Sequence, residues 1–115
     1  MDMNNADDRA ALIDALREQR LTAHEDHVGG GIHVVSVALL PDDGAEALSV
    51  TASGIDAPCE IGLSGLRTLG GEVIECGSAE FLHPETQEQA VDAFATYWSG
   101  REAFISDLRA GKYDL

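Results

Sequence analysis

Near both ends of the chain, apolar positions repeat every three or four residues, which is the spacing of an amphipathic helix. Residues 6–20 carry a narrow apolar stripe, and Asn5 precedes them as a cap. A second stripe follows His83-Pro84, with Pro84 at the expected first helical position. Ser99-Gly100-Arg101-Glu102 has the spacing of a capping box, so we expect that helix to break and restart there.

The middle of the chain has the patterning of β-strands. Residues 32–40 are rich in β-branched side chains and apolar at both alternating sets of positions, which is typical of a central strand. Residues 47–53 alternate apolar residues with Ser or Thr, which predicts a strand with one face on the core and one in water. Residues 59–64 alternate in the same way, and residues 72–76 form a fourth candidate strand.

The order of these elements predicts an α+β fold, α-β-β-β-β-α-α. Short strands joined by tight turns favour a four-stranded, largely antiparallel sheet, with the N-terminal and C-terminal helices packed on one face. The other face of the sheet would then be open to solvent. At 115 residues, with no linker or repeat, the chain fits a single domain over residues 1–115.

Acidic residues dominate the charge and are unevenly distributed. The chain has 21 Asp and Glu against 7 Lys and Arg, which gives a net charge of −14. Residues 21–100 hold 13 of these acids and a single base, Arg67, whereas the two terminal segments are close to neutral. Proteins that grip phosphates need clustered Lys and Arg, so the composition excludes nucleic-acid binding through a basic surface.

Two interpretations of the acidic middle segment stay open. It is either a solvated surface, which includes adaptation to salt, or a negative surface that meets a basic protein partner. The second predicts a small non-enzymatic interaction module for a basic protein, of which a nucleic-acid-binding protein is one kind. An inhibitor or nucleic-acid mimic of the kind that phages and mobile elements encode is one concrete form. The partner-binding carboxylates would be those of a hairpin tip and two strands: Asp42, Asp43, Glu46, Glu60 and Glu75.

A histidine cluster offers an alternative function. His24, His27 and His33, with two carboxylates between them, place three imidazoles within ten residues. Neutral imidazole and carboxylate oxygen both ligate zinc and other divalent ions, although this spacing matches no established zinc motif. The alternative is therefore a divalent-metal-binding protein or small metalloenzyme. The competing interpretation is a short polar loop before a strand, with no cofactor.

The aromatic and cysteine residues are most simply explained as parts of the hydrophobic core. Phe94, Tyr97 and Trp98 lie within two helical turns, a spacing that fits the core. Because Tyr and Trp are also common interface anchors, a homodimer contact is a further interpretation, with the chain a structural subunit that is acidic only for solubility. Cys59 and Cys76 fall at inward-looking positions, where reduced buried thiols are favoured over a cross-strand disulfide.

No segment has the pattern of a membrane span or an export signal. The longest apolar runs fall well short of the roughly 20 residues that cross a bilayer, and the first ten residues (MDMNNADDRA) are acidic. No nucleophile is accompanied by a base and an orienting group in any recognisable spacing. We therefore expect a cytoplasmic protein with no catalytic residues.

Overall fold

A computed structural model describes all residues, 1–115, and shows an α+β fold built on one antiparallel sheet. The five strands lie in chain order across the sheet, and each pairs antiparallel with the next. The predicted α+β class with an antiparallel sheet is confirmed, but the sheet has five strands and not four. The elements are α1 (Ala6–Glu18), β1 (Ala23–His27), β2 (His33–Leu40), β3 (Ala47–Ser53), β4 (Glu60–Leu69), β5 (Glu72–Gly77), α2 (Gln87–Ser99) and α3 (Arg101–Arg109).

The additional strand is β1, for which the sequence pattern favoured a polar loop. Only Ala23 of its five residues is buried, because β1 lies at the edge of the sheet and exposes its charged side chains. Its pairing with β2 runs from Ala23 opposite Val37 to His27 opposite His33. Residues 29–31, three glycines, all have positive φ and make the connecting hairpin turn. The loop interpretation of residues 24–27 was therefore wrong.

The core lies on one face of the sheet, which we call the helix-covered face. Strand alternation sends every second residue there, including the fully buried Val35 of β2 and Val50 of β3. Each helix contributes at least one fully buried side chain to the same cluster, among them Leu12, Phe94 and Leu108. Residues 33–40 lie between two paired strands and are mostly buried, so the prediction of a central strand is confirmed.

The helix ends differ from the prediction in detail. Asn5 caps α1 as expected, but the helix stops at Glu18, because Arg20 adopts a left-handed φ of 63° and turns the chain toward β1. Thr86 caps α2 through a hydrogen bond from the Gln89 amide at 3.2 Å, so Pro84 lies before the helix and not in it. None of the helices combines the length and hydropathy that a bilayer crossing needs.

The break between α2 and α3 is confirmed, although its chemistry is not the one predicted. Gly100 is the boundary residue of both helices, and no side chain hydrogen-bonds to the first amides of α3. The capping box expected from Ser99 and Glu102 therefore does not form. Instead, the Arg101 guanidinium donates to the backbone oxygen of Trp98 at 2.8 Å, which links the two helices at the break.

The opposite face of the sheet, which we call the open face, has a row of hydroxyl groups at its centre. Ser36 Oγ lies 3.3 Å from Thr51 Oγ1, which lies 3.2 Å from Ser64 Oγ. These three residues belong to the three neighbouring strands β2, β3 and β4. Small polar side chains in this position leave room above the sheet, and the candidate site occupies that room.

Candidate functional site

Two adjacent hollows form a groove along the open face. The first, of about 740 Å³, lies toward the β2–β3 turn, and its lining includes His24, Asp26, Asp42, Ser49 and Glu75. The second, of about 460 Å³, lies toward the opposite ends of those strands, and its lining includes Val28, Val34, Ile55, Glu60 and Phe81. We call them the acidic hollow and the apolar hollow. Both are lined by Ser64, Cys76 and Leu115, so they are continuous.

Five side-chain carboxylates line this groove, and no lysine or arginine does. Asp26, Asp42 and Glu75 belong to the acidic hollow, and Asp56 and Glu60 to the apolar hollow. The one imidazole present is that of His24, whose Nε2 lies 3.0 Å from Asp26 Oδ2. The groove is therefore an anionic surface that the protein itself compensates very little.

The basic side chains lie elsewhere and most of them already have partners. Four of the seven form ion pairs with carboxylates outside the groove, and Arg17 and Arg101 donate to backbone carbonyls. The four pairs are Arg9 with Glu25, Arg67 with Asp114, Arg109 with Glu46, and Lys112 with Asp107. All four of these ion pairs thus lie outside the groove.

Three of the five predicted partner-binding carboxylates share the open face. Asp42 and Glu75 are exposed in the acidic hollow, and Glu60 lies in the apolar hollow with only 7% of its surface exposed. Asp43 and Glu46 do not join them. They line a separate small hollow of about 250 Å³ together with two arginines.

Asp43 and Glu46 hold the β2–β3 turn in place. Asp43 Oδ1 accepts from the backbone amides of Glu46 at 2.8 Å and Ala45 at 2.9 Å, and these bonds lower the pKa of the Asp43 carboxyl. Two hydrogen bonds from Arg109 lower the pKa of Glu46. Both groups are therefore ionised at neutral pH, but their hydrogen bonds are made within the protein and they lie outside the groove.

The structure separates the three predicted metal ligands. Alternation along β1 places His24 on the open face, whereas His27 and His33 lie opposite each other on the other side, with ring centroids 4.6 Å apart. Glu25 lies 3.6 Å from His33 Nδ1, but it is also bonded to Arg9, which lowers the pKa of Glu25. No group of three or more His, Cys, Asp or Glu side chains is arranged to hold a metal ion.

The predicted aromatic and cysteine residues lie in the core or, like Tyr97 and Trp98, pack against it. Phe94 is fully buried, and Trp98 is half-buried with the Arg101 guanidinium 4.2 Å from its ring centroid. Cys59 and Cys76 are free and buried. Burial raises the pKa of Cys59 to about 11 and also raises the pKa of Cys76. Both thiols are therefore protonated at neutral pH, and a protonated thiol is a poor nucleophile.

The sequence did not point to two of the groove carboxylates, Asp26 and Asp56, or to the apolar side chains of the groove. Asp26 was missed because β1 lacks apolar alternation, so its position on a strand face was not apparent. Ile55 and Phe81 lie in connections between elements, where no periodic pattern predicts which way a side chain points. No protein-family model, curated protein or solved structure matches the chain.

Proposed function

We propose that the chain is a non-enzymatic interaction module whose groove binds a basic surface of another protein. The observation that carries the proposal is a concave open face with five carboxylates and no lysine or arginine. A partner of opposite charge would be steered toward this face, and the attraction would weaken as salt shortens the Debye length to about 10 Å at 0.1 M.

The distribution of charge favours this function over simple solvation. A surface that is acidic only for solubility has no reason to keep its bases away from one face. Here Arg9, Arg67 and Arg109 are each held by a carboxylate outside the groove. The groove also exposes apolar side chains, which solubility alone would not favour.

The charge density indicates a local contact more than imitation of a whole nucleic-acid duplex. The exposed surface of 6577 Å² carries a net charge of −14, an average of about one charge per 470 Å². A DNA duplex, taken as a cylinder about 20 Å wide, carries about one charge per 107 Å². If this molecule inhibits a nucleic-acid-binding protein, the contact is therefore made by the groove and not by the whole acidic surface.

The proposal is tested by titrating ¹⁵N-labelled protein with hexalysine amide at low and at moderate salt. We expect the amide shifts to concentrate on open-face residues, and the binding to weaken at least severalfold between about 20 and 200 mM salt. The double variant Asp42→Asn/Glu75→Gln removes two groove charges, while the asparagine side chain keeps an oxygen that can accept from the Gly44 amide as Asp42 does. It should bind hexalysine more weakly than the wild type.

The matched control is Glu88→Gln/Asp92→Asn, which removes the same charge from exposed positions on α2. It should bind almost as tightly as the wild type. Equal loss in both double variants would show that net charge alone attracts the peptide. That result would contradict a role for the groove.

A further inference from the structure

Solvent-exposed apolar side chains gather at the apolar hollow. Four large ones line it, with exposed fractions of 58% for Val28, 60% for Ile55, 47% for Phe81 and 82% for Leu115. Val34, only 3% exposed, also lines this hollow, on the open face of β2. A cluster of this kind on an otherwise strongly acidic molecule marks a binding surface more often than a scattered apolar residue does.

The backbone holds Phe81 in this position. After β5 the chain runs back along the start of β4, where Leu82 and Ile61 exchange two backbone hydrogen bonds of 2.8 and 2.9 Å. The ring of Phe81 then lies directly on Gly62, where an added Cβ would come within 2.5 Å of Phe81 Cδ1. Gly62 is therefore the residue that allows the ring to form a wall of the hollow.

Glu60 places a buried negative charge beside these apolar side chains. It is 7% exposed, and its Oε1 accepts one hydrogen bond, from the Asp56 amide at 3.2 Å. None of the ion pairs of the protein includes Glu60. The carboxylate therefore has no basic partner within the fold, and it lines the hollow where an external cation can reach it.

We propose that the apolar hollow receives one long cationic side chain, a lysine or arginine of the basic protein partner. Its methylene stem packs between Ile55 and Phe81, and its charged head pairs with Glu60. Lysine and arginine combine an apolar stem with a cationic end, which matches an apolar wall that leads to a carboxylate. This inference rests on the proposed function and names the anchor of that contact.

Two peptides of equal charge and different reach test the proposal. Hexalysine amide is compared with the hexamer of 2,4-diaminobutyric acid, whose side-chain stems are two methylenes shorter. A short stem cannot both cover the apolar wall and reach Glu60, so we expect hexalysine to bind about tenfold more tightly. The affinities are measured by the NMR titration at moderate salt.

Protein variants locate the effect within the groove. Glu60→Gln and Ile55→Ala should each remove most of the difference between the two peptides. Ile55 is exposed, so its truncation keeps the test valid if Glu60→Gln folds poorly. Leu69→Ala is the matched control, because Leu69 is 54% exposed and lies outside both hollows. It should leave the difference unchanged.

The outcomes separate this inference from the proposed function. If the two peptides bind equally well and only Asp42→Asn/Glu75→Gln weakens them, the anchor is overturned and the interaction module stands. If neither peptide binds at the open face, both are overturned. Self-association that sedimentation detects and that Ile55→Ala abolishes would make a second copy the occupant, which also overturns the anchor.

Discussion

On the helix-covered side of the sheet, Glu25 and Asp114 each accept hydrogen bonds from an arginine, whereas on the open face Glu60 and Glu75 meet no lysine or arginine. Within β1, strand alternation alone separates Glu25 from its neighbour Asp26, which lines the groove. The charges of Glu25 and Asp114 are compensated within the fold. Those of Glu60 and Glu75 are not.

Net charge alone describes this protein poorly. The Arg67 guanidinium lowers the pKa of Asp114, so that carboxylate stabilises the fold at neutral pH. The groove carboxylates have no such partner, and their mutual repulsion opposes folding slightly. A count of acids treats the two kinds alike, although one supports the structure and the other is available for binding.

The largest expected difference between the two faces is the loss of stability when a phenylalanine is replaced by alanine. Phe94→Ala removes a fully buried ring from the core and should lower the free energy of unfolding by about 3–5 kcal/mol. Phe81→Ala removes a half-exposed ring of the apolar hollow and should cost less than about 1 kcal/mol. Urea denaturation measures both. A loss above about 2 kcal/mol for Phe81→Ala would show that the hollow is part of the core.

Replacing either of two glycines on β4 by alanine should give a difference in stability of intermediate size. An alanine Cβ at Gly65 would lie 2.2 Å from the backbone oxygen of Ala47, which cannot move without breaking the β3–β4 pairing. Gly65→Ala should therefore cost about 1–3 kcal/mol or more. Gly62→Ala meets chiefly the half-exposed ring of Phe81, which can rotate away, so its cost in urea denaturation should be smaller. Equal costs would indicate that Phe81 is rigidly fixed.

The smallest contrast is between a paired and an unpaired carboxylate. Glu46→Gln removes the charge that pairs with Arg109 and should lower the urea midpoint at pH 7, whereas Glu75→Gln relieves repulsion and should raise it slightly at low salt. Because Arg109 lowers the pKa of Glu46, the contribution of this carboxylate to stability is present above the ordinary glutamate pKa. It is lost as the pH falls through the lowered value.

The pH dependence provides the control for the Glu46 experiment. Wild type and Glu46→Gln should differ at pH 7 and converge once the pH has fallen below the lowered pKa of Glu46, where residue 46 is uncharged in both proteins. A difference that persists at such acid pH would mean that Glu46 acts through packing and not through its charge.

Strand alternation made most of the fold predictable. Val50 and its neighbours of β3 could be assigned to a buried face from the sequence, since every second residue there is apolar. The edge strand β1 could not be predicted in this way, because edge strands often carry charged side chains and lack an apolar alternation. The ion pair of Glu46 could not be predicted either, because its partner Arg109 lies 63 positions away along the chain. Contacts of that kind follow from tertiary packing and leave no local signal.

The hydroxyl groups of Thr51 and Ser64 form part of the floor of the groove. Either of them can be the donor in the hydrogen bond between them, so this part of the floor has no fixed polarity. In the proposed interaction, a peptide backbone is therefore accepted in either direction. Selectivity is then left to the rim, where substitutions change the choice of partner without disturbing the strands beneath.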